Sequence, residues 1–292
     1  MREPDTPKKT FDESMHAFSI DVEDWYQGIG VPMRRWNQFE PRVRRSMTAL
    51  LDLMAEHDVR ATCFVLGKVA EEHPQLVQDI HAAGHEVATH GYAHKEVYDL
   101  SQERFRSNLH RSIQLLQDVT GEAVVGYRAP YFTITRRSLW ALDVLAEEGI
   151  RYDSSIHPVL HWRYGIPGAG RDPSSITAPQ GQQLLEVPVS TFPLVDGVNL
   201  PVAGGAYLRI YPYWFWRACL KRLEARCEHL RLYVHPWELD PEQPRIALPW
   251  RTRLPHYFNL SSTRPRLAAL FEEFEFRPYR DVFSTQIEEA SS

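Results

Sequence analysis

The chain has 292 residues, 43% hydrophobic and 24% charged, with a formal net charge of −5. Such a chain can bury a large core without staples, and its acidic balance gives no general attraction to nucleic acid. Three cysteines (Cys63, Cys219 and Cys227) make no disulfide framework, and no run of about 18 uncharged apolar residues is present to span a membrane as a helix.

Residues 1–13 are polar, without an apolar signal region, and are expected to be disordered. Together with the sparse cysteines, this points to a reducing, cytoplasmic setting. "HAFSIDVED" (16–24) reads as a buried strand running into acids. The basic clusters Arg34-Arg35 and Arg42 to Arg45 read as solvated helix faces. Val43, Met47, Leu50, Leu51 and Met54 recur at helical spacing over 42–59. A β-rich run (60–67) that holds Cys63 in the core is followed by a helix over 74–84 and a strand over 85–90. Ser101 is placed to cap a long helix that Gly121 ends. A strand over 123–131, a helix over 135–149 and a strand over 150–155 follow. Residues 157–183 are rich in Pro and Gly and read as a long loop, the kind that is functional or disordered. Further strands are expected near 184–190 and 230–238. Strands alternating with helices predict an α/β fold with a parallel, barrel-like sheet.

In such barrels chemistry gathers at the C-terminal ends of the strands. Here the strand ends carry Asp21, Glu23 and Asp24; His90 and then His94; Arg128 to Tyr131; and His235 to Glu238. Taken singly, each has an ordinary reading as a solvated acid, an incidental histidine pair or a structural arginine. Their occurrence together at successive strand ends favours a site. Two imidazoles and a carboxylate suit a divalent metal with open positions. Such a metal activates water and polarises a carbonyl. A second carboxylate kept off the metal can serve as base, with Arg128 holding it charged, and His235 can serve as acid. The set describes hydrolysis of an amide or ester.

These residues resemble the motifs of the polysaccharide deacetylases of the NodB-homology type, carbohydrate esterase family 4. "SIDVED", "HEVATHGYAH", "RAPY", "YDSS" and "LYVHPWE" stand in the order of that family's motifs over residues 16–238. The resemblance implies a deformed (β/α)7 barrel over 14–238, with 239–292 as a C-terminal extension packed on it. It implies metal-dependent removal of acetyl from an N-acetylated sugar in a polysaccharide or lipid-linked oligosaccharide. By the same resemblance, Asp21 would be the base, His90 and His94 metal ligands, and Arg128 the tether of the base. Tyr131 would offer its backbone N–H to an oxyanion, His235 would be the acid, and Asp153 would orient a neighbour, His235 being the candidate. Zinc is the first choice of metal, with nickel, cobalt or manganese as alternatives.

One departure from the family pattern is that Val22 follows Asp21, so the metal carboxylate must be Glu23 or Asp24. Strand alternation puts Asp21 and Glu23 on one face, which favours Glu23. The extension resembles that of deacetylases associated with exopolysaccharide and exosortase systems, which implies a glycan substrate and leaves room for peripheral contact with a membrane. Trp162, Tyr164 and Trp237 are candidate platforms for sugar rings, while Trp214 and Trp216 read as core. Two alternatives stay open: a metal-independent or small-ureide C–N hydrolase of allantoinase type, and a silent carbohydrate-binding barrel.

Overall fold

The computed structural model describes residues 15–195, 197–226 and 228–290. The expected disorder of residues 1–13 lies outside them. In chain order the elements are β1 (Met15–Val22), α1 (Val43–Glu56), β2 (Thr62–Val65), α2 (Gly67–Glu72), α3 (Pro74–Ala82), β3 (Glu86–Thr89), α4 (Gln102–Thr120), β4 (Gly126–Tyr127), α5 (Ala141–Glu147) and β5 (Tyr152–Asp153). Then come β6 (Ser174–Thr177), β7 (Gln183–Glu186), β8 (Thr191–Val195), β9 (Val198–Pro201), α6 (Gly205–Ile210), α7 (Tyr213–Glu224) and β10 (Arg231–Val234). The chain ends in α8 (Trp250–Tyr257), α9 (Thr263–Glu273), β11 (Glu275–Arg277), α10 (Tyr279–Val282) and α11 (Ser284–Ala290).

Seven strands run parallel in the order β10-β1-β2-β3-β4-β5-β7. Beyond β7, the Ser190 N–H donates to the Arg231 carbonyl of β10 at 3.0 Å, and the Arg231 N–H returns to Ser190 Oγ at 2.9 Å. The sheet is thereby drawn round into an irregular barrel. β6 lies antiparallel outside β7, and β8 and β9 form a separate hairpin that the sequence reading did not foresee.

Strand β1 is buried from His16 to Val22, as expected of a strand covered on both faces. Its residues divide by the period of two. Phe18, Ile20 and Val22 enter the main apolar cluster with the surrounding helices, whereas Ala17 joins Phe64, Ala88 and Tyr152 in a second cluster. Helix α4 follows its expectation closely. Ser101 Oγ accepts the Arg104 N–H, and Gly121 ends the helix at φ 72°. The strand expected over 123–131 pairs only at Gly126–Tyr127, and the helix expected from 135 begins at Ala141.

In the basic cluster Arg44 and Arg45 are exposed as expected, but Arg42 is drawn into the protein. Arg42 pairs with buried Asp240 at 2.5 Å and Arg45 with Glu242 at 2.8 Å, tying α1 to the segment after β10. Trp216 is core, but Trp214 is 73% exposed. Two positions apart on a helix is about 200° of rotation, so both cannot face inward.

The C-terminal residues complete the barrel. β11 pairs with Met15–Ala17 of β1, and at Ala17 it lies opposite β10, on the side that β2 occupies higher up. From there Tyr279, Val282, Phe283 and Ile287 fill the second cluster. The Tyr279 N–H donates to Thr62 Oγ1 and the Arg280 N–H to buried Glu86. Glu86 also accepts from Thr62 and Tyr152, so this buried carboxylate has its lone pairs engaged.

Candidate active site

Asp21 and Glu23 follow one another on the inward face where β1 ends. Asp24 turns away. Its carboxylate accepts the N–H groups of Trp25, Arg42 and Val43 at 2.7–3.0 Å and so caps α1 from a distance. That task removes it from the metal-ligand choice. Glu23, His90 and His94 are all buried, and each offers a ligand atom within 4.8 Å of the other two. His90 Nδ1–H donates to the Arg128 carbonyl at 2.8 Å, which turns its Nε2 toward the cluster. His94 Nε2 stands 2.7 Å from Glu23 Oε2.

Burial opposes charge on Glu23, but His94, His235 and His90 overcome it and hold the carboxyl at about 2. Burial holds His90 down at about 4, so it stays neutral and able to ligate. Apart from the His94 nitrogen, Glu23 Oε2 meets no hydrogen-bond donor among the described residues, a buried oxygen suited to a cation. The donor set therefore fits a divalent metal. Gly28 is part of the fit, because a Cβ there would overlap Glu23 Oε1.

Asp21 accepts from Arg128 Nη1 at 2.7 Å. The guanidinium is buried and its five N–H groups are all engaged. Besides Asp21 they reach Ser19 Oγ, the Ser154 carbonyl and hydroxyl, and the hydroxyl of Tyr279 at 3.0 Å. Phe64 packs beneath it at 4.1 Å. Burial alone would weaken the arginine's charge, but Asp21 and its neighbours raise its pKa instead.

His235 faces the cluster from β10. Its Nε2 is 3.7 Å from Glu23 Oε1, and its Nδ1–H donates to Glu238 at 2.9 Å. Glu238 is fully buried and is also held by Arg209 at 2.8 Å. Burial would neutralise the imidazole, but the bond to Glu238 and the charges of Glu23 and Glu238 raise it to about 9. Gly205 lets Glu238 sit there, since a Cβ at 205 would overlap its carboxylate.

Tyr131 occupies a left-handed backbone position, φ 54° and ψ 22°, and His94 and Phe132 also have positive φ. Strained residues of this kind cost on the order of 1–3 kcal/mol each and gather at functional sites. The Tyr131 ring meets His94 edge-on at 4.3 Å, and Arg163 covers its other side at 3.5 Å while pairing with Glu96.

Three expected roles change. Asp153 does not orient His235. It lies against Glu186 and accepts from Ser155, and burial raises its carboxyl to about 6. Glu238 is the partner of His235 instead. Trp237 offers no face to a sugar, because His235 and His256 cover it at 4.9 and 4.2 Å. Its Nε1–H donates to Glu23 Oε1 at 3.2 Å, a supporting contact to the ligand set. Tyr164 is likewise stacked between His157 and His161. Trp162, 70% exposed beside the pocket, keeps an open ring.

The pocket is lined by Asp21, Glu23, His90, His94, Tyr131 and His235, and further out by Trp162, Tyr207, Arg251 and His256. The roles of Glu238, Arg209, Trp237 and Tyr279 had escaped the sequence reading. The only hint was Glu238 standing three residues after His235 in "HPWE".

Residues 37–152 match the family model described as Polysaccharide deacetylase, and residues 154–284 match Domain of unknown function (DUF3473). A peptidoglycan-N-acetylglucosamine deacetylase of Bacillus cereus is 28% identical over 38% of this chain and 45% of its own. A peptidoglycan deacetylase of Helicobacter pylori is 32% identical over 37% of this chain and 36% of its own. A chitooligosaccharide deacetylase of Sinorhizobium fredii is 32% identical over 37% and 48%. The chain thus spans less than half the length of these curated relatives. Among solved structures, a Mycobacterium smegmatis protein assigned to the polysaccharide deacetylases superposes with a TM-score of 0.62, at 24% identity over 94% of this chain and 88% of its own. Puue allantoinase superposes at 0.60, with 15% identity over 96% and 93%. At these identities the structures speak for the fold. The chain carries a polysaccharide deacetylase domain of the NodB type, followed by a DUF3473 C-terminal domain.

Proposed function

We propose that the protein is a metal-dependent hydrolase that removes N-acetyl groups from a sugar in a polysaccharide or lipid-linked oligosaccharide. The observation that carries this reading is one pocket in which the Glu23–His90–His94 cluster stands between an arginine-held carboxylate and a carboxylate-held histidine. The relatives named as deacetylases of peptidoglycan and chitooligosaccharide support the substrate class.

A divalent cation held by Glu23, His90 and His94, zinc first among the choices, would lower the pKa of a water and polarise the amide carbonyl. The protein's own groups do the rest. Asp21, fixed by Arg128, takes the proton of the attacking water. The N–H of Tyr131 would donate to the oxygen that gains charge. His235, kept protonated by Glu238, gives its Nε2 proton to the departing amine. Trp162 provides the open ring on which a sugar can stack.

The test joins elemental analysis to acetate release from N-acetylated glycans. Asp21→Asn should keep its metal and lose about 10²–10⁴-fold in turnover, whereas Glu23→Ala should lose metal and activity together. A metal-replete wild type that releases no acetate from any N-acetyl sugar but opens a small ureide would replace the reading with the ureide alternative.

A further inference from the structure

We propose that helix α8 seats the mouth of the pocket on an anionic lipid surface. One face of α8 forms pocket wall, through Arg251, Thr252, Pro255 and His256. The opposite face is apolar and open. Trp250 and Leu254, one turn apart on α8, and Phe258, the residue that caps its C-terminus, stand at four-residue steps and are 71%, 48% and 42% exposed. That spacing makes a single stripe. By helical rotation Arg251 and Arg253 flank the stripe on its two sides, and both are exposed.

Apolar stripes on globular proteins normally turn inward. This one faces out although α8 is firmly anchored. Arg209 donates to the Pro255 and Phe258 carbonyls, and Tyr257 and His256 are buried beneath. An exposed tryptophan and leucine between arginines is the pattern of helices that lie in a lipid headgroup layer.

Charge chooses the occupant. The chain carries a net −5, yet between Gln243 and Phe271 it has Arg245, Arg251, Arg253, Arg264 and Arg266 and no Asp or Glu. Arg264 is paired with Glu56, and Arg266 is taken up by backbone carbonyls. Arg245 and Arg251 lie over the rings of Tyr257 and Trp250, and no carboxylate pairs with Arg245, Arg251 or Arg253 among the described residues. The locally unbalanced positive charge beside an apolar stripe complements a negatively charged bilayer. Seating α8 there brings the pocket to the height of glycan headgroups. Its use in catalysis rests on the deacetylase reading, but the binding itself does not.

The experiment is co-sedimentation of the full chain with vesicles of phosphatidylglycerol and phosphatidylethanolamine, against vesicles of phosphatidylcholine. Wild type should pellet with the anionic vesicles, and added salt should weaken it. Trp250→Ser with Leu254→Ser should reduce that affinity about tenfold or more, and Arg253→Glu should reduce it on anionic vesicles only. Circular dichroism checks that the variants remain folded. Equal pelleting of wild type and variants overturns the proposal, as does no pelleting at all. A wild-type dimer in sedimentation that these substitutions abolish would assign the stripe to a second copy instead. Acetate release from a soluble N-acetylated chitooligosaccharide is measured in the same samples, so a failure of the deacetylase reading appears there and not in the pelleting.

Discussion

The Nε1–H of Trp237 reaches Glu23 from the far end of the chain, and its ring is clamped between two imidazoles. Supporting bonds to a metal ligand commonly contribute about 10–100-fold in metal affinity. Trp237→Phe keeps most of the stack and deletes only the donor, so it should weaken divalent-metal binding by that amount while the fold persists; competition with a chelator measures it. An unchanged affinity would mean that the indole only fills space. His235→Ala tests the other side of the pocket. An amine leaves poorly unless protonated, so loss of the acid should cut turnover of an N-acetyl sugar far more than turnover of an activated aryl acetate. Equal losses on the two substrates would assign His235 to positioning. At this scale the sequence was informative where chemistry is local. His90 and His94 are four apart in one segment, and strand alternation separates Glu23 from Asp24. It was silent where partners are distant. Nothing near Trp237 in the chain announces a carboxylate 214 positions away, and stacking by neighbouring imidazoles decides whether an aromatic is a platform.

Among the elements, the link between β2 and β3 carries a titration of its own. Buried His85, just before β3, accepts the Ala61 N–H on Nδ1 and must be neutral to do so. Burial and then Arg60 hold it down at about 4, against 6.5 for the free side chain. Between those values the unfolded chain binds the proton and the folded chain does not, so stability falls as pH drops from 6.5 towards 4 and is constant in this respect above 6.5. The difference corresponds to on the order of 3 kcal/mol. In urea melts taken across that window, His85→Gln should lose less stability than wild type on acidification, because the amide oxygen accepts the same N–H without titrating. Parallel losses would place the acid sensitivity elsewhere. Elements of this kind were legible in proportion to their length. The 19-residue α4 shows its cap, apolar face and closing glycine. β4 has two residues and β11 three, too few for any period to emerge, and both exist because neighbouring strands supply their hydrogen bonds.

Across the whole molecule the last elements complete what the first begin. Alternating strands and helices made the barrel legible, but not its closure at the base by β11, α10 and α11. Tyr279 links that base to the site, since its hydroxyl accepts one of the five N–H groups of the arginine that holds Asp21. Tyr279→Phe should leave a buried N–H of Arg128 unpaired, at a cost of about 1–3 kcal/mol. It should lower kcat while KM and metal content hold, measured by steady-state kinetics and elemental analysis. A variant as stable and as fast as wild type would show that Ser19, Ser154 and Asp21 suffice.

The placement of Tyr279 also sets an order in time. Arg128 leaves the ribosome roughly 8–30 s before it at usual synthesis rates, and Asp21 earlier still. Until residues 275–290 follow, the guanidinium lacks an acceptor, the edge of β1 is unpaired, and Phe64 and Tyr152 lack the side chains that cover them. The nascent chain therefore passes through an interval in which every proposed catalytic residue has been made and the site is still incomplete. In that interval an open strand edge and an uncovered apolar base are what a chaperone would recognise.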